Sequence, residues 1–149
     1  MQLTPITTTI GSEVSGVDLC ADLTATLGEQ IHDALVERAV LVFRDQPIDP
    51  QTHLDLAAAL GEVGATHPLY PSVTGFPQVN IIPNDAAHPP ESEVWHSDLS
   101  CKANPPFAAV LRAELSEGTS ADCATIQVVL ELLDAAGLLL DTDTSSGLG

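Results

Sequence analysis

Residues 93–101, EVWHSDLSC, place a histidine and an aspartate two positions apart, at His96 and Asp98. On a β-strand these two side chains would lie on one face and could converge on a single point. An imidazole and a carboxylate are two of the three ligands in the two-His-one-carboxylate triad, which binds Fe(II) and leaves positions open for a co-substrate and dioxygen. The alternative is a solvated strand face with a local hydrogen bond. The spacing therefore indicates either part of an iron site or an ordinary polar strand.

The residues around this motif predict the elements that must position it. Alternating or short apolar runs predict strands at 3–11, 39–45, 78–82, 94–100 and 107–115, and a strand or bulge over 11–19 that is broken by Gly16. Helical spacing of apolar residues, with Asp22 or Thr24 as a candidate cap, predicts helices over 22–40, 51–60 and 125–140. His32 and His53 fall on these helix patterns, and we expect both to be exposed. A proline-rich loop, long enough to carry function, separates the second helix from the motif.

The composition excludes several classes of partner. The chain has four Lys and Arg residues and 21 Asp and Glu residues, so its formal net charge is −17. Such a chain lacks the basic patches that nucleic acids and anionic membranes require. Its three cysteines form no C-x-x-C pair, and the N-terminal residues show no signal-peptide pattern. We therefore expect a cytoplasmic protein that binds neither nucleic acid nor membrane.

Three stretches carry a resemblance to a known family. The stretch WHSDLSCKANPPFAAVLRA resembles the iron-binding signature of the taurine dioxygenase family, whose members are Fe(II)- and 2-oxoglutarate-dependent oxygenases. Upstream, TTTIGSEVSGVDL is similar to the N-terminal strand pair of that family. ALVERAVLVFRDQPIDPQTHLDLAAALGEVGATHPLYP is similar to its helix, strand, helix and substrate loop. The motifs follow the family's order over about residues 6–115, whereas 120–149 diverge.

The resemblance implies a fold and a domain. The expected class is α+β: a partial double-stranded β-helix, or jelly-roll, of the clavaminate synthase-like type, preceded by helices. Residues 1–149 would form the N-terminal portion of a single dioxygenase domain. The family's second iron histidine and its oxoglutarate-binding arginine lie further downstream than the resemblance reaches. We therefore expect a truncated chain whose strands present open edges, which invite pairing with another copy or a partner.

The resemblance also implies roles for four residues. His96 and Asp98 would bind Fe(II), and 2-oxoglutarate would be the co-substrate. His67 and Tyr70, in the segment HPLYP, would contact the acidic group of the substrate. An imidazole and a phenol are suitable hydrogen-bond donors to an anion.

Two main functions remain open. The first is a dioxygenase that hydroxylates a small anionic substrate such as a sulfonate or an alkyl sulfate. The second is a non-catalytic acidic fragment, or degenerate homologue, that associates with a partner subunit. A zinc hydrolase built from His67, His88, His96 and Asp98 ranks last, because no zinc-type spacing such as H-E-x-x-H is present.

Overall fold

In this computed structural model the described residues are 1–21, 23–66, 70–82, 103–113 and 125–130. The strands among them are β1 (Gln2–Pro5), β2 (Ser12–Ser15), β3 (Val40–Phe43), β4 (Ser72–Val73), β5 (Phe76–Asn80), β6 (Ala108–Ala113) and β7 (Thr125–Leu130). The helices are α1 (Ala25–Arg38) and α2 (Pro50–Leu60). Mixed sheets and two helices agree with the α+β class that we expected.

Five of these strands form one sheet in the order β1-β2-β3-β7-β6. Strands β2 and β3 are parallel, with α1 as the crossover between them, and the other neighbours are antiparallel. Strand β6 lies at one end of the sheet as the described residues define it. Strands β4 and β5 form a separate antiparallel hairpin.

The two helices begin and end at residues suited to those positions. The Thr24 side chain accepts a hydrogen bond from the backbone N–H of Leu27 and caps α1, as the sequence predicts. Asp49 caps α2 in the same way, and Pro50 occupies its first turn, where a missing N–H costs nothing. Gly61 ends α2. These caps fix the positions at which the chain enters and leaves the two helices.

The core lies between the helices and β3. Leu41 and Phe43 of β3 are fully buried, which confirms the predicted buried strand. Ile31 and Leu35 of α1 and Leu56 of α2 are also fully buried. Because aromatics are only 3% of the chain, aliphatic residues fill most of this core.

The predicted strand over 3–11 is wrong after Pro5, and the hydrogen bonds of Arg38 give the reason. Strand β1 ends at Pro5, and the next five residues form bends. The Arg38 guanidinium donates hydrogen bonds to the Thr7 and Gly11 carbonyls, both at 3.2 Å, and to the Ser12 hydroxyl at 2.9 Å. The Thr7 hydroxyl donates to a carbonyl within the same bend. Local side-chain bonds of this kind compete with strand pairing.

Gln46 ties the end of β3 to the segment that follows β2. Its amide nitrogen donates to the carbonyls of Val17 and Arg44, both at 3.2 Å, and its amide oxygen accepts from the Leu19 N–H at 2.9 Å. The FRDQ stretch therefore has a structural role at this corner of the fold.

The predicted helix over 125–140 is wrong at its first six residues, which form β7. Ile126 pairs with Phe43 of β3 on one side and with Arg112 of β6 on the other. The sequence TIQVVL is rich in β-branched residues, which favour strands. Pairing with a strand on each side stabilises the segment as a strand rather than a helix. Residues 131–140 lie outside the described residues. The predicted strand over 107–115 is confirmed at Ala108–Ala113.

Within the described ranges, neither helix has the length and hydropathy needed to cross a bilayer.

Candidate functional site

Three of the four predicted site residues, His67, His96 and Asp98, lie outside the described residues, as does the predicted strand over 94–100. Tyr70 is described. In the parts of the chain that the structure covers, no group of three or more His, Cys, Asp or Glu side chains is placed to hold a metal ion. The assignment of His96 and Asp98 as metal ligands therefore stays a prediction.

Tyr70 is half-buried and lies just before the β4–β5 hairpin. The Pro71 carbonyl accepts a hydrogen bond from the Ile81 N–H at 2.8 Å, which closes the base of the hairpin. At the other end, Gly75 has a φ of 85°, which a glycine adopts without strain in the turn between β4 and β5. The backbone beside Tyr70 is therefore held by the closed base of the hairpin.

Next to this hairpin lies an open cleft of about 590 Å³. Its walls come from α2, residues 61–65, β5, residues 104–107 and β6. This volume falls within the range of about 300–1,000 Å³ that is typical of small-molecule sites. The cleft is the candidate functional site among the described residues.

Some residues that line the cleft lie close in sequence to the two segments that carry predicted site residues. Ala65 lines it and stands two positions before His67, while Asn104 lines it and follows Asp98 by six positions. Since an extended residue spans at most about 3.6 Å, Asp98 lies within roughly 22 Å of the cleft wall. The chain thus limits how far the predicted ligands can be from the cleft.

One wall of the cleft is formed by half-buried apolar side chains. Leu60, Phe107, Ala108 and Val110 pack against the buried core and also line the cleft. Because the core packs against these side chains on their other side, they form an apolar surface that is already in place in the fold.

His53 corrects one sequence prediction. We expected it to be exposed, but it is half-buried, lines the cleft and lies 3.0 Å from the Val110 carbonyl through Nε2. Because a carbonyl can only accept, Nε2 carries the proton. Burial lowers the pKa of His53, and the nearby Arg112 cation lowers it further, although the bond to Val110 opposes both. The lowered pKa favours the neutral form of the ring.

The spacing along α2 could have revealed this position. His53 stands three residues before Leu56 and seven before Leu60, on the apolar stripe of the helix. This register places the histidine on the buried side of the helix, although its polarity alone predicts exposure.

A second histidine contacts the same part of the chain from α1. The His32 ring stacks on Phe107 with a centroid separation of 5.1 Å and an interplanar angle of 15°. Together His32 and His53 connect both helices to residues 107–110, the segment that follows the HSD motif and the two prolines. Both contacts therefore hold the part of the cleft wall that follows the two prolines in sequence.

Comparison with known proteins decides the family. The model of the family described as taurine catabolism dioxygenase TauD, TfdA family matches residues 2–121. The chain belongs to this family. The resemblance predicted from the sequence is therefore confirmed.

Individual relatives agree with the family match. An alpha-ketoglutarate-dependent sulfate ester dioxygenase of Pseudomonas putida is 34% identical over 119 residues, or 79% of this chain and 38% of that protein. An alkylsulfatase of Acinetobacter baylyi is 31% identical over 82% of this chain and 38% of its own length. The crystal structure of a putative alpha-ketoglutarate-dependent taurine dioxygenase from Burkholderia xenovorans superposes with a TM-score of 0.64 at 32% identity, covering 78% of this chain and 42% of that one. The chain thus spans about two fifths of the length of the curated relatives that it matches.

Proposed function

We propose that this chain provides the N-terminal part of an Fe(II)- and 2-oxoglutarate-dependent dioxygenase that hydroxylates a small organic sulfate ester or sulfonate. The HSD motif at residues 96–98 is the observation that carries the proposal, because it lies inside the span matched by the dioxygenase family. The two curated relatives support the substrate class, since their names specify a sulfate ester and an alkyl sulfate. The proposed fold of the whole is a jelly-roll, and residues 1–149 belong to one domain of it.

His96 and Asp98 are the proposed metal ligands from this chain. Fe(II) bound there would supply the activation of dioxygen, with 2-oxoglutarate as the electron donor. Hydroxylation of the carbon that bears the sulfate or sulfonate would give an unstable product, which releases sulfate or sulfite and leaves an aldehyde. The task of this chain's residues is to hold the reacting carbon near the metal.

The charge of the chain constrains how it binds an anionic substrate. A formal charge of −17 repels anions at long range, so recognition must come from donors placed at the site. His67 and Tyr70 are the proposed donors to the sulfate or sulfonate oxygens. The closed base of the β4–β5 hairpin supports this role for Tyr70, because it restricts the backbone beside it.

Anaerobic addition of Fe(II) and 2-oxoglutarate to the chain tests the proposal. We expect a weak visible charge-transfer band, which Asp98→Ala removes and which a matched change at an exposed carboxylate, Asp55→Ala, leaves unchanged. If the unmodified chain gives no band, it does not form the site, and the non-catalytic acidic fragment becomes the better description. Size-exclusion chromatography would then show whether the chain associates through the end of the sheet at β6.

The proposed setting is the cytoplasm, where Fe(II) and 2-oxoglutarate are available. Three cysteines, an odd number with no disulfide framework, support this reducing location, and the acidic composition argues against nucleic-acid partners.

A further inference from the structure

We propose that β1 pairs edge to edge with β1 of a second copy of this chain, so that two five-stranded sheets join into one across a two-fold axis. The contact surface, which we call the N-terminal edge, is residues 1–10. This inference uses neither the metal site nor the cleft, and it is independent of the proposed reaction.

The backbone of β1 is open to pairing on one side. In the part of the chain that the structure describes, β1 lies at the end of its sheet and pairs with β2 alone, with Leu3 opposite Val14. The N–H and C=O groups on its other side can therefore bond to a further strand. An antiparallel copy of the same strand suits them, because the two-fold axis then repeats each hydrogen bond. Pro5 at the end of β1 has no N–H to donate, which keeps the ladder short.

The large side chains of the N-terminal edge are apolar and exposed. Met1, Leu3, Ile6 and Ile10 are 37–52% exposed, and they make up half of the exposed large apolar side chains among the described residues. Since Leu3 lies opposite the buried Val14, it extends the apolar face of the sheet to the edge. A second copy would remove this apolar surface from water on both chains, which is the driving force for association.

Hydrogen bonds hold the N-terminal edge in place before a partner binds. The Ile6 N–H donates to the Gly11 carbonyl at 3.0 Å, and the Gly11 N–H donates to the Arg38 carbonyl at 2.8 Å. The Arg38 guanidinium also donates to the Thr7 and Gly11 carbonyls. A surface that is already ordered loses less conformational entropy on association.

The distribution of charge favours a second copy as the partner. Residues 1–12 contain none of the 21 Asp and Glu residues of a chain whose formal net charge is −17. Two copies repel each other through their acidic surfaces, and the N-terminal edge lets them approach with little local repulsion. A basic partner would instead be attracted to the acidic surfaces, because the edge has no acidic side chain to attract it.

The two ends of the described sheet differ in how well they resist pairing. Charged side chains on an edge strand are a common device against edge-to-edge association. Strand β6 carries Arg112, whereas β1 carries no charged side chain. We therefore assign the contact to β1 rather than to β6.

Sedimentation equilibrium of the chain at low and high salt tests the inference. A contact through short strands buries little area, so we expect a weak dimer that is populated at about 100 µM protein and dissociated at about 1 µM. Salt screens the repulsion between two acidic copies and leaves apolar contacts intact. Raising NaCl from about 0.05 M to about 1 M should therefore tighten the dimer about tenfold, whereas a contact built on ion pairs would weaken.

Matched substitutions locate the contact. Leu3→Glu and Ile6→Glu each place an acidic side chain in the N-terminal edge of both copies, and each should weaken the dimer at least about tenfold. Leu111→Glu makes the same exchange at a comparably exposed position of β6 and should leave the dimer unchanged. Ile6 lies in a bend outside the strands, so Ile6→Glu leaves the pairing of β1 with β2 intact. Circular dichroism checks that each variant is folded.

The outcomes decide for or against a second copy at this edge. A dimer that tightens with salt and that both edge substitutions weaken would support the inference. A monomer at every concentration and salt would overturn it and leave the edge to a strand of a different protein. An association that salt weakens, or that Leu111→Glu removes while the two edge substitutions leave it intact, would also overturn it.

Discussion

The region from Gly11 to Leu56 and the region downstream of it are built differently. Every fully buried residue among those described falls between Gly11 and Leu56. In the described residues of 70–82 and 103–113 none is fully buried, and most are half-buried or exposed. The first region is a closed core, and the second is a surface supported by it. The difference indicates that stability comes mainly from the first region and that ligand contacts come mainly from the second.

Paired phenylalanine substitutions test this division most strongly. Phe43 is fully buried in β3, and Phe43→Ala should lower the free energy of unfolding by about 3–5 kcal/mol through lost burial and a residual cavity. Phe107 is half-buried at the cleft, and Phe107→Ala should cost about 1 kcal/mol. Urea denaturation of the two variants measures both. Equal costs would show that the core extends through the downstream segment.

Two arginines of the first region show how much its buried and exposed polar contacts contribute to stability. Arg38→Ala removes hydrogen bonds to three groups, including the buried Ser12 hydroxyl, and should destabilise the fold by about 2–3 kcal/mol. Arg44→Ala is the matched control. Its pairing with Glu13 at 3.0 Å is largely exposed, so its loss should cost under about 1 kcal/mol. Chemical denaturation in low salt measures the loss of unfolding free energy for both variants. A larger loss for Arg44→Ala than for Arg38→Ala would contradict the greater stabilisation that we assign to the Arg38 hydrogen bonds.

His53 gives the smallest effect, and it depends on pH. Its pKa in the folded chain lies below the ordinary value of 6.5, so the unfolded chain takes up a proton at a higher pH than the folded chain does. Stability contributed by the neutral ring is therefore present above pH 6.5 and is lost as the pH falls toward the folded-state pKa. His53→Gln keeps a donor for the Val110 carbonyl and cannot titrate. The difference in unfolding free energy between the two proteins should change with pH between 8 and 5.5, and a constant difference would contradict the lowered pKa.

The sequence predicts the first region better than the second for a physical reason. Thr24 and the apolar run that forms β3 act through a helix cap and local periodicity, which can be predicted within one segment. The strand at Thr125–Leu130 depends on pairing with β3 and β6, which are distant in sequence, and local spacing alone suggested a helix there.

Predictions for the candidate site divide in the same way, between features that are local in sequence and features that depend on distant segments. The assignment of the HSD motif is a prediction from ligand type and spacing, which are local, whereas the cleft cannot be predicted in that way, since its walls come from five separated segments. The helical register indicates that His53 is buried, but it cannot predict its hydrogen-bond partner, because Val110 lies 57 positions away.

Paramagnetic broadening of the NMR spectrum by Mn(II), with 2-oxoglutarate present, tests the central claim most directly. Mn(II) replaces Fe(II) without redox chemistry, and its broadening falls steeply with distance. We predict broadening centred on His96 and Asp98 that extends to Tyr70 and Asn104, while Leu35 and Leu41 in the core stay sharp. Broadening spread over the acidic surface, or centred away from residues 96–98, would contradict the assignment of these residues as a metal site.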